Sequence, residues 1–146
     1  MNYNDFLEDL EEYIRNSDLS IGQAEILGAT LNSLGYLIIA YGAKIDIYEL
    51  LNEETNSDAS LRTFLFGQGI IALGYSILWV VSLNRLKTKI LENDYLERQN
   101  SLHAYRKVEI SYLLSAFANF LRLEAFYELL ALKDEELREE ELNEEE

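Results

Sequence analysis

The stretch Thr63–Asn84, TFLFGQGIIALGYSILWVVSLN, holds no Asp, Glu, Lys or Arg, in a chain where these make up 27% of residues. Arg62 precedes it and Arg85, Lys87 and Lys89 follow. A charge-free run of this length is long enough to cross a bilayer as a helix. A second such run, Ile26–Ala43, lies upstream. An amphipathic helix in water carries charge on its outer face. Two neighbouring helices without any need lipid or protein on every side.

The rest of the chain is strongly acidic, with a net charge of −15. Such a chain is repelled by phosphate backbones, so nucleic acid is not an expected partner. With no Cys, there is no disulfide and no thiolate chemistry. There is also no Pro, which removes the main obstacle to long helices. The first residues, MNYNDFLEDLEEYIRN, are acidic and do not resemble a secretory signal.

These features give an all-α expectation: three long antiparallel helices over about 21–51, 60–91 and 102–132, plus one short N-terminal helix over 4–16. Residues 1–132 form one helical domain, and 133–146 form a solvated acidic tail that frays, since negative charge opposes the dipole at a helix C-terminus. Asn4 is placed to cap the short helix, Asn16-Ser17-Asp18 to end it, and Ser20 with Gln23 to open the next. Ser57 or Asp58 caps the helix after the acidic loop 52–58.

Leu27, Leu31, Leu34, Ile38, Tyr41, Ile45 and Tyr48 alternate at spacings of four and three, a seam of coiled-coil type. Beside it Gly28, Gly35 and Gly42 recur every seven residues, and Gly67 and Gly74 repeat that spacing. Glycine costs a helix about 1 kcal/mol relative to Ala. Its recurrence on one stripe points to close approach of another backbone, in a helical hairpin. LGATLNSLGYLI and FGQGIIALGYSI align with both glycines in register, a weak internal repeat. Asn32 and Gln68 are the polar residues deepest in the two runs, suited to hydrogen bonding between helices.

No catalytic constellation is present. His103 is the only histidine, which excludes paired-histidine metal sites, and no phosphate loop or nucleophile elbow occurs. No cofactor is expected, and the chain reads as a non-enzyme. The leading reading is a small helical membrane protein with a structural or protein-interaction role, built on the hairpin 26–43 and 63–84. Basic residues after the second run place both termini in the cytoplasm. The alternative is a cytoplasmic, soluble acidic bundle acting as an adaptor, inhibitor or immunity-type protein. Either version is expected to form a homo-oligomer or to bind a protein partner, and a basic partner would suit the acidic tail.

Overall fold

The computed structural model describes residues 2–52 and 58–144, with the backbone alone at 140, 141, 143 and 144. It is all-helical over these residues: α1 is Tyr3–Leu51, α2 is Ala59–Tyr95 and α3 is Leu102–Glu144. The helices divide into two compact units. One combines Met1–Thr30 with Gly74–Ala116, the other Leu31–Leu73 with Phe117–Glu146. Each unit therefore holds a segment of all three helices.

α1 is capped two residues before the expected Asn4. The Asp5 carboxylate accepts the Asn2 backbone N–H at 3.2 Å, and Phe6 N–H donates to the Asn2 carbonyl at 3.1 Å. Asn2 thus holds the cap position, as in a capping box. The separate short helix expected over 4–16 is the first part of α1, with no break at Asn16-Ser17-Asp18. Those residues each cost a helix at most about 0.7 kcal/mol. Packing outweighs this: Ile14 and Ile21 on either side are both buried, and Asp18 lies 3.6 Å from Lys89. At the other end Asn52 donates from its side chain to the Tyr48 carbonyl at 2.7 Å.

α2 opens at Asp58, whose carbonyl accepts Arg62 N–H at 3.0 Å and whose carboxylate takes Arg62 Nε at 2.6 Å. Ser57, the other expected cap, lies outside the described residues. In the first unit α2 runs antiparallel to both neighbours: Arg85 pairs with Glu25 at 2.6 Å, and Trp79 donates to Glu109 at 3.0 Å. In the second unit Phe64 stacks on Phe126 with centroids 5.6 Å apart, and Arg62 pairs with Asp134 at 3.1 Å. α2 carries most of the buried residues, among them Ile71, Ala72, Leu78 and Val81.

α3 continues to Glu144 through the stretch expected to be a frayed tail. Glu, Leu, Lys and Arg are good helix formers with no Gly or Pro among them, and Leu130 and the Asp134 pair anchor the approach. Propensity summed over several turns exceeds a dipole penalty confined to the last one.

The α2–α3 connection is a tight helix stop. Arg98 N–H donates to the Glu92 carbonyl at 3.3 Å, and Glu97 has φ 52°, the left-handed conformation usual for a glycine at this position. A side chain there costs about 1 kcal/mol. Glu97→Gly is therefore expected to stabilise the protein by about 0.5–1 kcal/mol, and Glu97→Val to destabilise it, both read from denaturant unfolding midpoints.

Candidate functional site

In each unit glycines of α1 lie close against α2. In the second, a Cβ built on Gly35 would lie 2.5 Å from Ile71 Cγ1 and 2.8 Å from the Gly67 carbonyl oxygen. The relation is mutual, since a Cβ on Gly67 would lie 3.0 Å from the Gly35 oxygen and from Ile39 Cγ1. Gly42 faces Phe64 and Thr63 at 3.1–3.2 Å. In the first unit a Cβ on Gly28 would meet Leu78 Cγ at 2.9 Å and the Gly74 oxygen at 3.0 Å. Side chains can shift to accommodate a new atom; a carbonyl in a helix cannot. Gly22 differs from these, with nothing within 4 Å of its added Cβ.

The outer half of the seam read beside the stripe faces elsewhere, while Ile38 of its inner half lies beside Gly67. Leu27, Leu34, Tyr41 and Tyr48 are all exposed, whereas Gly28, Gly35 and Gly42 are buried. Spacing identified both stripes, and the glycine stripe was the one expected to meet another backbone, since small residues let helices approach closely.

The two deep amides have different environments. Gln68 is 2% exposed, and its Nε2 donates to Asn119 Oδ1 at 2.8 Å and to the Asn119 carbonyl at 3.1 Å, tying α2 to α3 in the second unit. Asn119, itself buried, belongs to a polar stripe on α3 with Ser111, Ser115 and Arg122. Asn32 is 8% exposed and its Oδ1 has no hydrogen-bond partner. A buried acceptor left unpaired costs about 1–3 kcal/mol.

A charged cluster at the α2–α3 connection is visible only in the structure. Glu92 is 2% exposed yet surrounded by cations and amides. Lys89 Nζ lies 2.6 Å from it, Asn100 Nδ2 donates at 2.8 Å and Arg98 stands 3.7 Å away. Asn93 and Asn100 close the turn with two reciprocal hydrogen bonds at 3.0 and 2.8 Å. Burial alone would raise the Glu92 pKa, but hydrogen bonds from Lys89 and Asn100 and the two cations leave it below the ordinary value. Burial likewise opposes the Lys89 charge, and Glu92 with Asp18 reverses this, leaving its pKa raised. The sequence signal was Lys89 one turn before Glu92 at a helix end; nothing in it marked Glu92 as buried. His103 is exposed, and among the described residues no group of three His, Cys, Asp or Glu is placed to hold a metal ion.

Two predictions follow from these distances and charges. Gly35→Ala is expected to lower stability by about 1–3 kcal/mol, because the new methyl meets a helix carbonyl. Gly22→Ala, in open space, is expected to raise it by about 0.5–1 kcal/mol; chemical unfolding of the two variants checks both. For Glu92 the folded pKa is depressed. Its contribution is complete above the unfolded value of about 4.3 and is lost as pH falls through the lower folded value. Lys89 acts at the other extreme, its contribution lost only as pH rises through its raised folded value. Melting temperature should therefore fall more steeply below about pH 4.3 in the parent protein than in Glu92→Gln. Comparison with known protein families, curated proteins and solved structures finds no match to this chain.

Proposed function

We propose that this chain is a small, non-enzymatic helical membrane protein with a structural or protein-binding role, whose α1 and α2 cross the bilayer at 26–43 and 63–84. The supporting observation is that two charge-free runs lie on helices their own chain leaves largely uncovered. At 1.5 Å per residue the runs extend about 27 and 33 Å, against a hydrocarbon thickness of about 30 Å. In the most apolar stretch of α1 only 22% of residues are buried, and in that of α2 39%. A helix at the core of a soluble bundle is mostly covered. Here Ile26, Leu37, Phe66 and Leu73 all remain exposed. In water each square ångström so exposed costs about 25 cal/mol, a penalty lipid removes.

In lipid the hydrophobic effect no longer draws helices together, so packing and polar contacts must. On this reading Gly28, Gly35, Gly42, Gly67 and Gly74 form the interface that closes the hairpin. Gln68 and Asn32 are its polar groups at membrane depth, with Gln68 bound to α3.

Arg85, Lys87, Lys89, Arg98, Arg106 and Lys107 follow the second run, and the positive-inside rule places that side in the cytoplasm together with the N-terminus. Two crossings would bring the C-terminus back to the same side. The pairing of α2 with α3 argues for three. α3 lies beside α2 through Trp79–Glu109 in one unit and through Gln68–Asn119 and Arg62–Asp134 in the other. A bilayer crossed by α2 then takes in α3 as well, and the acidic C-terminal stretch emerges beside segment 44–62.

One observation favours the soluble alternative. The charge-free part of α3, 110–121, extends only about 18 Å, and Arg122 and Glu124 beyond it are exposed. In that reading oligomerisation covers the apolar faces, and the protein is an acidic adaptor, inhibitor or immunity-type molecule.

Carbonate extraction separates the two. The expressed protein is expected to stay in the membrane pellet and leave it only with detergent. Appearance in the carbonate supernatant would sink the membrane reading. In intact cells an impermeant thiol reagent is expected to label Ser57→Cys and Leu142→Cys alike. Labelling of Leu142→Cys only after lysis would restore two crossings.

A further inference from the structure

The face of α1 left open by the hairpin is itself ordered for another helix. Leu31, Leu34, Ile38, Tyr41, Ile45 and Tyr48 keep the alternating spacing of three and four within the second unit. Leu34, Tyr41 and Tyr48 are 49%, 61% and 59% exposed, while Leu31, Ile38 and Ile45 are half-buried, Ile38 beside Gly67 of α2. Gly35 and Gly42 each follow a seam residue and turn toward α2. α1 thus presents two neighbouring faces, of which α2 occupies one. Among the described residues, no helix of the same chain covers the other.

From this we infer that the seam is a self-association surface, on which α1 of a second copy packs in parallel. The occupant is a helix, because the spacing is that of a coiled-coil seam, in which each seam residue inserts between four of the facing helix. Two further observations select a second copy. Of the positions three residues before each exposed one, Leu31, Ile38 and Ile45, the last two are β-branched, the residue type that favours two parallel strands there. Lys44, exposed, precedes Ile45, and Glu49 follows Tyr48. In a parallel pair the residue before one core position faces the partner's residue five places further on, so Lys44 meets the Glu49 of the second copy with opposite charge. Glu49 also has an interaction within its own chain, to which this pair adds. The parallel sense rests on the membrane reading, because two copies inserted by the same rule share one orientation and a two-fold axis along the membrane normal.

The chain has no Cys, so introduced thiols report uniquely. Single variants Leu34→Cys, Tyr41→Cys and Tyr48→Cys, full length, are oxidised in carbonate-washed membranes and run without reductant. Tyr36→Cys, exposed on another face, serves as the control. All three seam variants are expected to form covalent dimers several-fold faster than the control. In a parallel pair each residue lies opposite its own copy. An antiparallel pair would link one position at most, and that result overturns the proposal, as does the absence of dimer or faster linking at Tyr36→Cys. In the Tyr41→Cys background, Lys44→Glu is expected to slow linking several-fold and Glu49→Lys added to it to restore the rate. No response to either change would remove the charge argument and the parallel register with it. Seam linking by protein found in the carbonate supernatant would refute the membrane reading and leave the self-association standing.

Discussion

The close approach of α1 and α2 governs the rest of this structure. Gly35 and Gly67 each leave room for the other's carbonyl, at distances a Cβ would reduce to 2.8 and 3.0 Å. Every helical glycine costs about 1 kcal/mol relative to Ala, and the stripe spends that cost to bring two backbones together. With the glycine face against α2, the exposed leucines and tyrosines of the seam beside it have no counterpart among the described residues. The exposed apolar surface of α1 is therefore a consequence of how the hairpin closes, and both lipid and a second copy answer the same requirement.

Polar groups refine this arrangement. Gln68 and Asn119 fix the register of α2 on α3 with two hydrogen bonds in an apolar setting, where an unmade bond is expensive. The buried Glu92 does similar work at the α2–α3 connection. Its cations and amides hold the helix stop that Glu97 forms against its own conformational preference. Asn32, with an unpaired buried oxygen, gains no such partner among the described residues.

The helical class was legible because it follows from local properties: no Pro, apolar periodicity and the glycine spacing. Helix ends were less legible. Asn16-Ser17-Asp18 reads locally as a break, but burial of Ile14 and Ile21 carries the helix through it. The acidic stretch after Leu132 reads as a frayed tail, yet strong helix formers continue α3. Periodicity showed two stripes on α1, and the glycines marked one for close approach of another backbone; how far the neighbouring seam stays exposed was not legible, since both stripes repeat every seven residues. Gln68 stood out as a polar residue in an apolar run. Its partner Asn119 was legible only as one member of a polar stripe with Ser111, Ser115 and Arg122, because the pairing joins helices far apart in sequence. Glu92 was hidden among the many carboxylates of an acidic chain.

The single tryptophan gives the most direct test of the membrane account. Trp79 lies within the second charge-free run, half-buried, with its indole N–H on Glu109. Full-length protein reconstituted in vesicles of lipids brominated on their acyl chains should show strong quenching of its fluorescence, and little quenching by aqueous iodide. Fluorescence indifferent to the brominated chains but quenched by iodide would place Trp79 in water, and the membrane-spanning assignment of α2 would be wrong.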